Sequence, residues 1–128
     1  MRKIAKGAKS IASIQWFIAM QVTTLTERKA NEAARRRRAA DAVVEALAAF
    51  ARAGEGTFTV FGSYVRKTMR FDSDLDILVE FPVERTAKAW NFVEETCAFH
   101  RIPADIHDAR TMTAPFLERV RAEGLVVP

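Results

Sequence analysis

The chain has 128 residues, of which 49% are hydrophobic and 28% charged, with a net charge of +4. That is the size of one domain, and too apolar for a disordered chain. A single cysteine, Cys97, excludes an internal disulfide and suits a reducing cytosol. The charge is uneven: residues 1–56 hold eleven Lys/Arg against five Asp/Glu, and residues 57–128 hold nine against eleven.

Arg2, Lys3, Lys6 and Lys9 lead into an apolar run over residues 11–20, interrupted and followed by Ser13, Gln15, Gln21, Thr23 and Thr24. A spanning helix needs about 20 mostly apolar residues, so no membrane span is expected. No small-residue cleavage site marks a secretory leader. Two readings of this stretch stand side by side: a basic amphipathic helix that packs on a partner or a membrane surface, or a segment upstream of a true start at Met20. Residues 1–23 are therefore set apart as an extension, and residues 24–128 are taken as the domain.

Thr24 and Glu27 have the spacing of a capping box, with Thr24 as N-cap. A long Ala- and Arg-rich helix should follow to about Ala53, burying Val43, Val44, Leu47, Phe50 and Ala51. Gly54 and Gly56 end it. Arg35, Arg36, Arg37 and Arg38 are adjacent and so spread round the helix, which predicts a solvated surface rather than one nucleic-acid face. Residues 57–61 have strand composition and a short helix begins at about Ser63. A second strand covers 75–80, and a helix covers 84–100 with Ala87, Trp90, Val93, Cys97 and either Ala98 or His100 inward. A third strand spans 103–107. The last helix spans 113–123 with Phe116, Leu117 and Val120 inward, and Gly124 precedes an extended tail. Strands alternating with helices predict an α/β sheet covered mainly on one face.

The chemistry concentrates in residues 60–79. Gly62-Ser63 follows the first strand, where glycine permits a sharp turn and unsatisfied N–H groups attract anions. Arg66, Lys67 and Arg70 follow within reach of a triphosphate. After ten residues that follow Ser63, Asp74 and Asp76 flank Leu75. In a strand they share one face while Leu75, Ile77 and Val79 face the core. Adjacent carboxylates repel, and a hard cation such as Mg²⁺ relieves that repulsion while recruiting phosphate oxygens. Two such ions would stabilise both oxygens of an in-line phosphoryl displacement. Cys97 sits in an apolar helical run and reads as core, and His100 and His107 lack zinc-ligand spacing.

Gly-Ser, ten residues, then Asp-x-Asp resembles the signature of the DNA polymerase beta-type nucleotidyltransferase superfamily. The Ser73-Asp74-Leu75-Asp76-Ile77-Leu78-Val79 phrasing is most similar to its smallest branch, the minimal nucleotidyltransferase or MNT domains. The resemblance runs from about Glu45 to the C-terminus. It implies a polymerase beta-like fold and a third carboxylate on a neighbouring strand, taken here as Asp105 in preference to Asp108. It departs from the family where many relatives have Ala-Arg-Gly, since Val65-Arg66-Lys67 keeps the arginine and replaces the glycine.

The implied activity is Mg²⁺-dependent transfer of a nucleoside monophosphate, AMP from ATP, to an acceptor hydroxyl. Asp74, Asp76 and Asp105 would be catalytic and metal-binding, with Gly62, Ser63, Arg66 and Lys67 on the nucleotide. MNT domains are often paired with HEPN-type toxins, which implies a partner protein as acceptor and an antitoxin role in the cytoplasm. The alternatives are a catalytically silent antitoxin that acts by complex formation, and a nucleic-acid binder that uses Arg35 to Arg38.

Overall fold

No glycine or proline interrupts residues 11–53. In the computed structural model, which describes residues 11–128, this stretch is one helix, α1 (Ile11–Gly54). Its 44 residues span roughly 66 Å at about 1.5 Å each. Thr24 is therefore not an N-cap. A Thr-x-x-Glu pattern caps a helix only where the preceding residues leave helical geometry, and residues 11–23 do not. Ile14, Trp16, Phe17, Ile18 and Leu25 lie exposed along this first part of α1. Arg2, Lys3, Lys6 and Lys9 lie outside the described residues. Among the described residues no helix is long and apolar enough to cross a membrane.

The second half of α1 buries Ala39, Ala40, Val43, Leu47 and Ala51, with Val44 and Phe50 packed at the margin. That spacing is one helical stripe. Glu55 then takes a left-handed φ of 60° and turns the chain into β1 (Thr57–Phe61). A one-turn helix α2 (Ser63–Arg66), strand β2 (Leu75–Glu80), helix α3 (Val83–Phe99) and strand β3 (Ala104–Asp108) follow. A 3-10 turn (Ala109–Thr111), helix α4 (Ala114–Glu123) and strand β4 (Leu125–Val127) complete the order. The C-terminal tail is thus a paired strand, because β1 has a free edge that its Leu-Val-Val run fills.

The sheet order is β3-β2-β1-β4. β1 pairs antiparallel with β2 and β4, and β2 pairs parallel with β3 through the α3 crossover. Phe58, Val60, Leu75, Ile77 and Val79 face α1 and α3 in the main core. Phe50 links the layers, stacked on Phe92 at 4.4 Å and tilted against Phe58 and Phe81. α4 and the 3-10 turn cover part of the opposite face around Leu78, Ala109 and Val120, with Phe116 and Leu117 as expected. Thr113 caps α4 by accepting from the Phe116 N–H, and Arg121 pairs with Glu80 at the end of β2. On α3 the buried residues are Ala89, Val93 and Cys97, while Ala87 and Ala98 are exposed. The buried stripe runs one side of the expected one because Ala89, not Ala87, lies four residues before Val93.

Leu47 is fully buried between α1 and the sheet. Leu47→Ala should cost about 2–5 kcal/mol in chemical denaturation. Leu25→Ala, on the exposed part of the same helix, should change stability by less than about 0.5 kcal/mol.

Candidate active site

Register places the carboxylates. Asp76 stands opposite Phe61 on β1 and opposite Asp105 on β3. Neighbouring strands lie about 4.8 Å apart, so Asp76 and Asp105 are adjacent on the face away from the main core. Asp74 is exposed just before β2, and its charge reaches Asp76. Burial first, then the Asp105 and Asp74 charges, push the Asp76 carboxyl above its ordinary value. A hydrogen bond shared with Asp105 adds to that rise, and His107 opposes it. His107 Nε2 stands 3.3 Å from Asp105 Oδ2, and its ring packs near Phe61 and Phe116.

Gly62 completes the arrangement. It has a φ of 77°, and a Cβ built on it would lie 2.1 Å from Asp76 Oδ2. The turn therefore presses its backbone directly on the carboxylate, an approach that only glycine allows. Gly62 O accepts from the Arg66 N–H at 3.1 Å, and Ser63 O accepts from the Thr68 N–H at 2.9 Å, which closes α2. Lys67 ends α2 in the left-handed conformation at φ 60°. Glycine would hold this conformation without strain, and Lys67 occupies it at a cost. Tyr64 anchors α2 to α1 by donating to Asp41 Oδ1 at 2.6 Å.

The structure brings Gly62, Asp74, Asp76 and Asp105 together. Arg66 and Lys67 are exposed, and among the described residues neither side chain pairs with the carboxylates. Asp108 is committed elsewhere, accepting from the Arg110 N–H at 3.0 Å and facing its guanidinium at 3.2 Å. Asp72 is exposed, 3.9 Å from Arg70 Nε. Cys97 is buried, and burial pushes its thiol up to about 11. His107 lies beside Asp105 at the edge of the site, and its alternation with Asp105 on one strand face is the sequence signal for that place.

Arg35 and Arg36 are not the solvated pair expected. Both bind Glu32, and both donate to backbone carbonyls of other segments. Arg37 and Arg38 are exposed.

Among the described residues no three acidic, histidine or cysteine side chains already surround one point as a metal cage. The donor set nonetheless fits a hard cation that takes one or two carboxylates and completes its shell with phosphate oxygens. Asp76 is a half-buried carboxylate among like charges, with no Lys or Arg among the described residues in salt-bridge contact, and a bound cation would relieve that repulsion.

A sequence-family model described as a nucleotidyltransferase domain matches residues 26–125. No curated protein matches the chain.

Two left-handed positions predict opposite outcomes in thermal melts. Gly62→Ala should destabilise by at least about 1–2 kcal/mol, since strain adds to the clash with Asp76. Lys67→Gly should stabilise by up to about 1 kcal/mol. A raised carboxyl pKa means that ionised Asp76 opposes folding. Asp76→Asn should therefore melt no lower than the parent at pH 7. The difference should close as pH falls below the ordinary Asp value of 3.8.

Proposed function

The chain belongs to the nucleotidyltransferase domain family, and from that premise we propose that it transfers AMP from ATP to a hydroxyl on a partner protein. Asp74 and Asp76 would hold Mg²⁺, with Asp105 on the side of the attacking hydroxyl. When bound, the metal supplies charge neutralisation for the phosphates and the developing transition state. The turn at Gly62 and Ser63 offers backbone N–H groups and a hydroxyl to the β- and γ-phosphates, with Arg66 and Lys67 exposed beside it. The acceptor oxygen attacks the α-phosphorus, the bond from that phosphorus to the bridging oxygen breaks, and pyrophosphate leaves. Asp105 takes the acceptor proton, with His107 at 3.3 Å to stabilise its charge. Catalysis of this kind is mainly positioning and electrostatics.

The observation that carries this reading is the contact of the Gly62 turn with Asp76, with Asp105 directly opposite. It supports the reading because a turn whose backbone N–H groups suit phosphate lies against two adjacent carboxylates. A partner protein of the HEPN type, as the resemblance implies, would supply the acceptor, and the reaction would then be antitoxic adenylylation. The exposed apolar residues Ile14, Trp16, Phe17 and Ile18 suit a protein partner.

That same surface supports a second reading, neutralisation by complex formation alone. The nucleic-acid reading loses Arg35 and Arg36, which are held by Glu32 and backbone oxygens.

The protein should be incubated with labelled ATP, Mg²⁺ and the product of the adjacent gene. The partner should gain the mass of one AMP, and Asp76→Asn should abolish the gain while leaving the domain folded. Full transfer by Asp76→Asn would overturn the metal site. Neutralisation that survives Asp74→Ala without any mass gain would establish the binding-only reading.

A further inference from the structure

One carboxylate on α1 organises two arginines that reach the segments on which the acidic site is mounted. Glu32 accepts from Arg35 at 2.8 and 3.0 Å and from Arg36 at 2.8 Å. These bonds draw Glu32 down to about 2, so it is ionised at neutral pH. The guanidiniums then point away from their own helix. Arg36 Nη1 donates to the Ser73 carbonyl at 2.8 Å, and Ser73 immediately precedes Asp74. Arg35 donates to the His100 carbonyl at 3.2 Å and to the Arg101 carbonyl at 2.7 Å. Those two residues close α3 and lead through Ile102 and Pro103 into β3, which carries Asp105.

The two held segments also meet each other. The Leu75 N–H donates to the Pro103 carbonyl at 2.9 Å, which starts the β2–β3 pairing. The Asp74 turn is tied internally by the Arg70 N–H to Ser73 Oγ at 2.8 Å, and Lys29 of α1 lies 4.9 Å over the Phe71 ring. Arg36 is only 18% exposed, so its bond to Ser73 is shielded in a way that surface pairs are not. An arginine suits this task because its planar fork serves a carboxylate and a carbonyl at once.

We propose that Glu32, Arg35 and Arg36 are positioning residues for metal binding, locking to α1 the two strand entries that deliver Asp74 and Asp105. This rests on the reading that Asp74, Asp76 and Asp105 hold the metal, and it assigns to α1 a direct part in their spacing. Charge and geometry predict opposite signs for its loss. Removing a cation from the neighbourhood of a cation site tightens metal binding by electrostatics alone. Releasing the Asp74 segment weakens it, as loss of groups behind metal ligands commonly does by about tenfold or more.

The test is direct Mn²⁺ binding to the full chain, followed by calorimetry and by the paramagnetic signal of free ion, with circular dichroism and melting as the check of folding. Arg36→Met should weaken Mn²⁺ binding by about tenfold, whereas Arg37→Met, on the exposed part of the run, should leave it unchanged or slightly tighter. Glu32→Gln keeps the helix and the size of the side chain while removing the charge that aims both arginines, and it should weaken binding in the same direction. Should Arg36→Met fail to fold, Arg35→Met decides, since charge and geometry again predict opposite signs for it. Mn²⁺ binding lost in Asp76→Asn but undiminished in the folded Glu32 and Arg36 variants overturns the positioning role and leaves the metal site standing. Binding that persists undiminished in Asp76→Asn overturns the metal site and the positioning proposal with it.

Discussion

Parallel pairing of β2 with β3 sets Asp76 opposite Asp105, and the other features of the acidic site are arranged around that register. Parallel neighbours cannot be joined by a tight turn and need a crossover, which α3 provides over the main core. Since side chains alternate along a strand, a slip of one residue would turn Asp105 inward and Ile106 outward. Ala104 and Ile106 pack against the core cluster and oppose that slip. The apolar side of β3 thus holds the polar side in place.

The acidic face carries costs that the rest of the domain offsets. Asp76 is partly buried among like charges, and its carboxyl titrates high as a result. Gly62 gives up the entropy of the freest residue to lie against it, and Lys67 holds a backbone conformation that suits glycine. Compensation comes from the opposite side of the sheet, where Phe50, Phe58, Phe81 and Phe92 interlock with α1 and α3. This is the division expected where a site is strained and its scaffold is not. α1 serves both sides: its buried stripe makes the core, and its arginines reach the segments ahead of β2 and β3.

Much of this was legible in the residues because it rests on local rules. Alternation in Leu75-Asp76-Ile77 separates core from site without any knowledge of the fold, and the strand and helix spans fall within a residue or two of expectation, apart from the start of α1. The failures have a common cause. The Thr24 cap was misplaced since a capping pattern does not reveal whether the preceding residues are helical. Ala87 was taken for Ala89 because three-residue and four-residue spacings both fit an alanine-rich helix. Arg35 and Arg36 looked solvated because their partners are 37 to 66 residues away.

Composition and local pattern were sufficient for the α/β class, for the glycine turn and for the paired carboxylates, since each depends on residues within a few positions of one another. The choice of Asp105 over Asp108 leaned on family resemblance, and its geometric basis is a long-range fact. Both lie on β3, and strand register puts one beside Asp76 while the other folds back on Arg110. The contact of Gly62 with Asp76 and the reach of α1 to Ser73 and Arg101 are of the same kind. The first lies within one stretch of sequence, yet only the β1–β2 pairing brings its partners into contact, and the others join segments 37 to 66 residues apart.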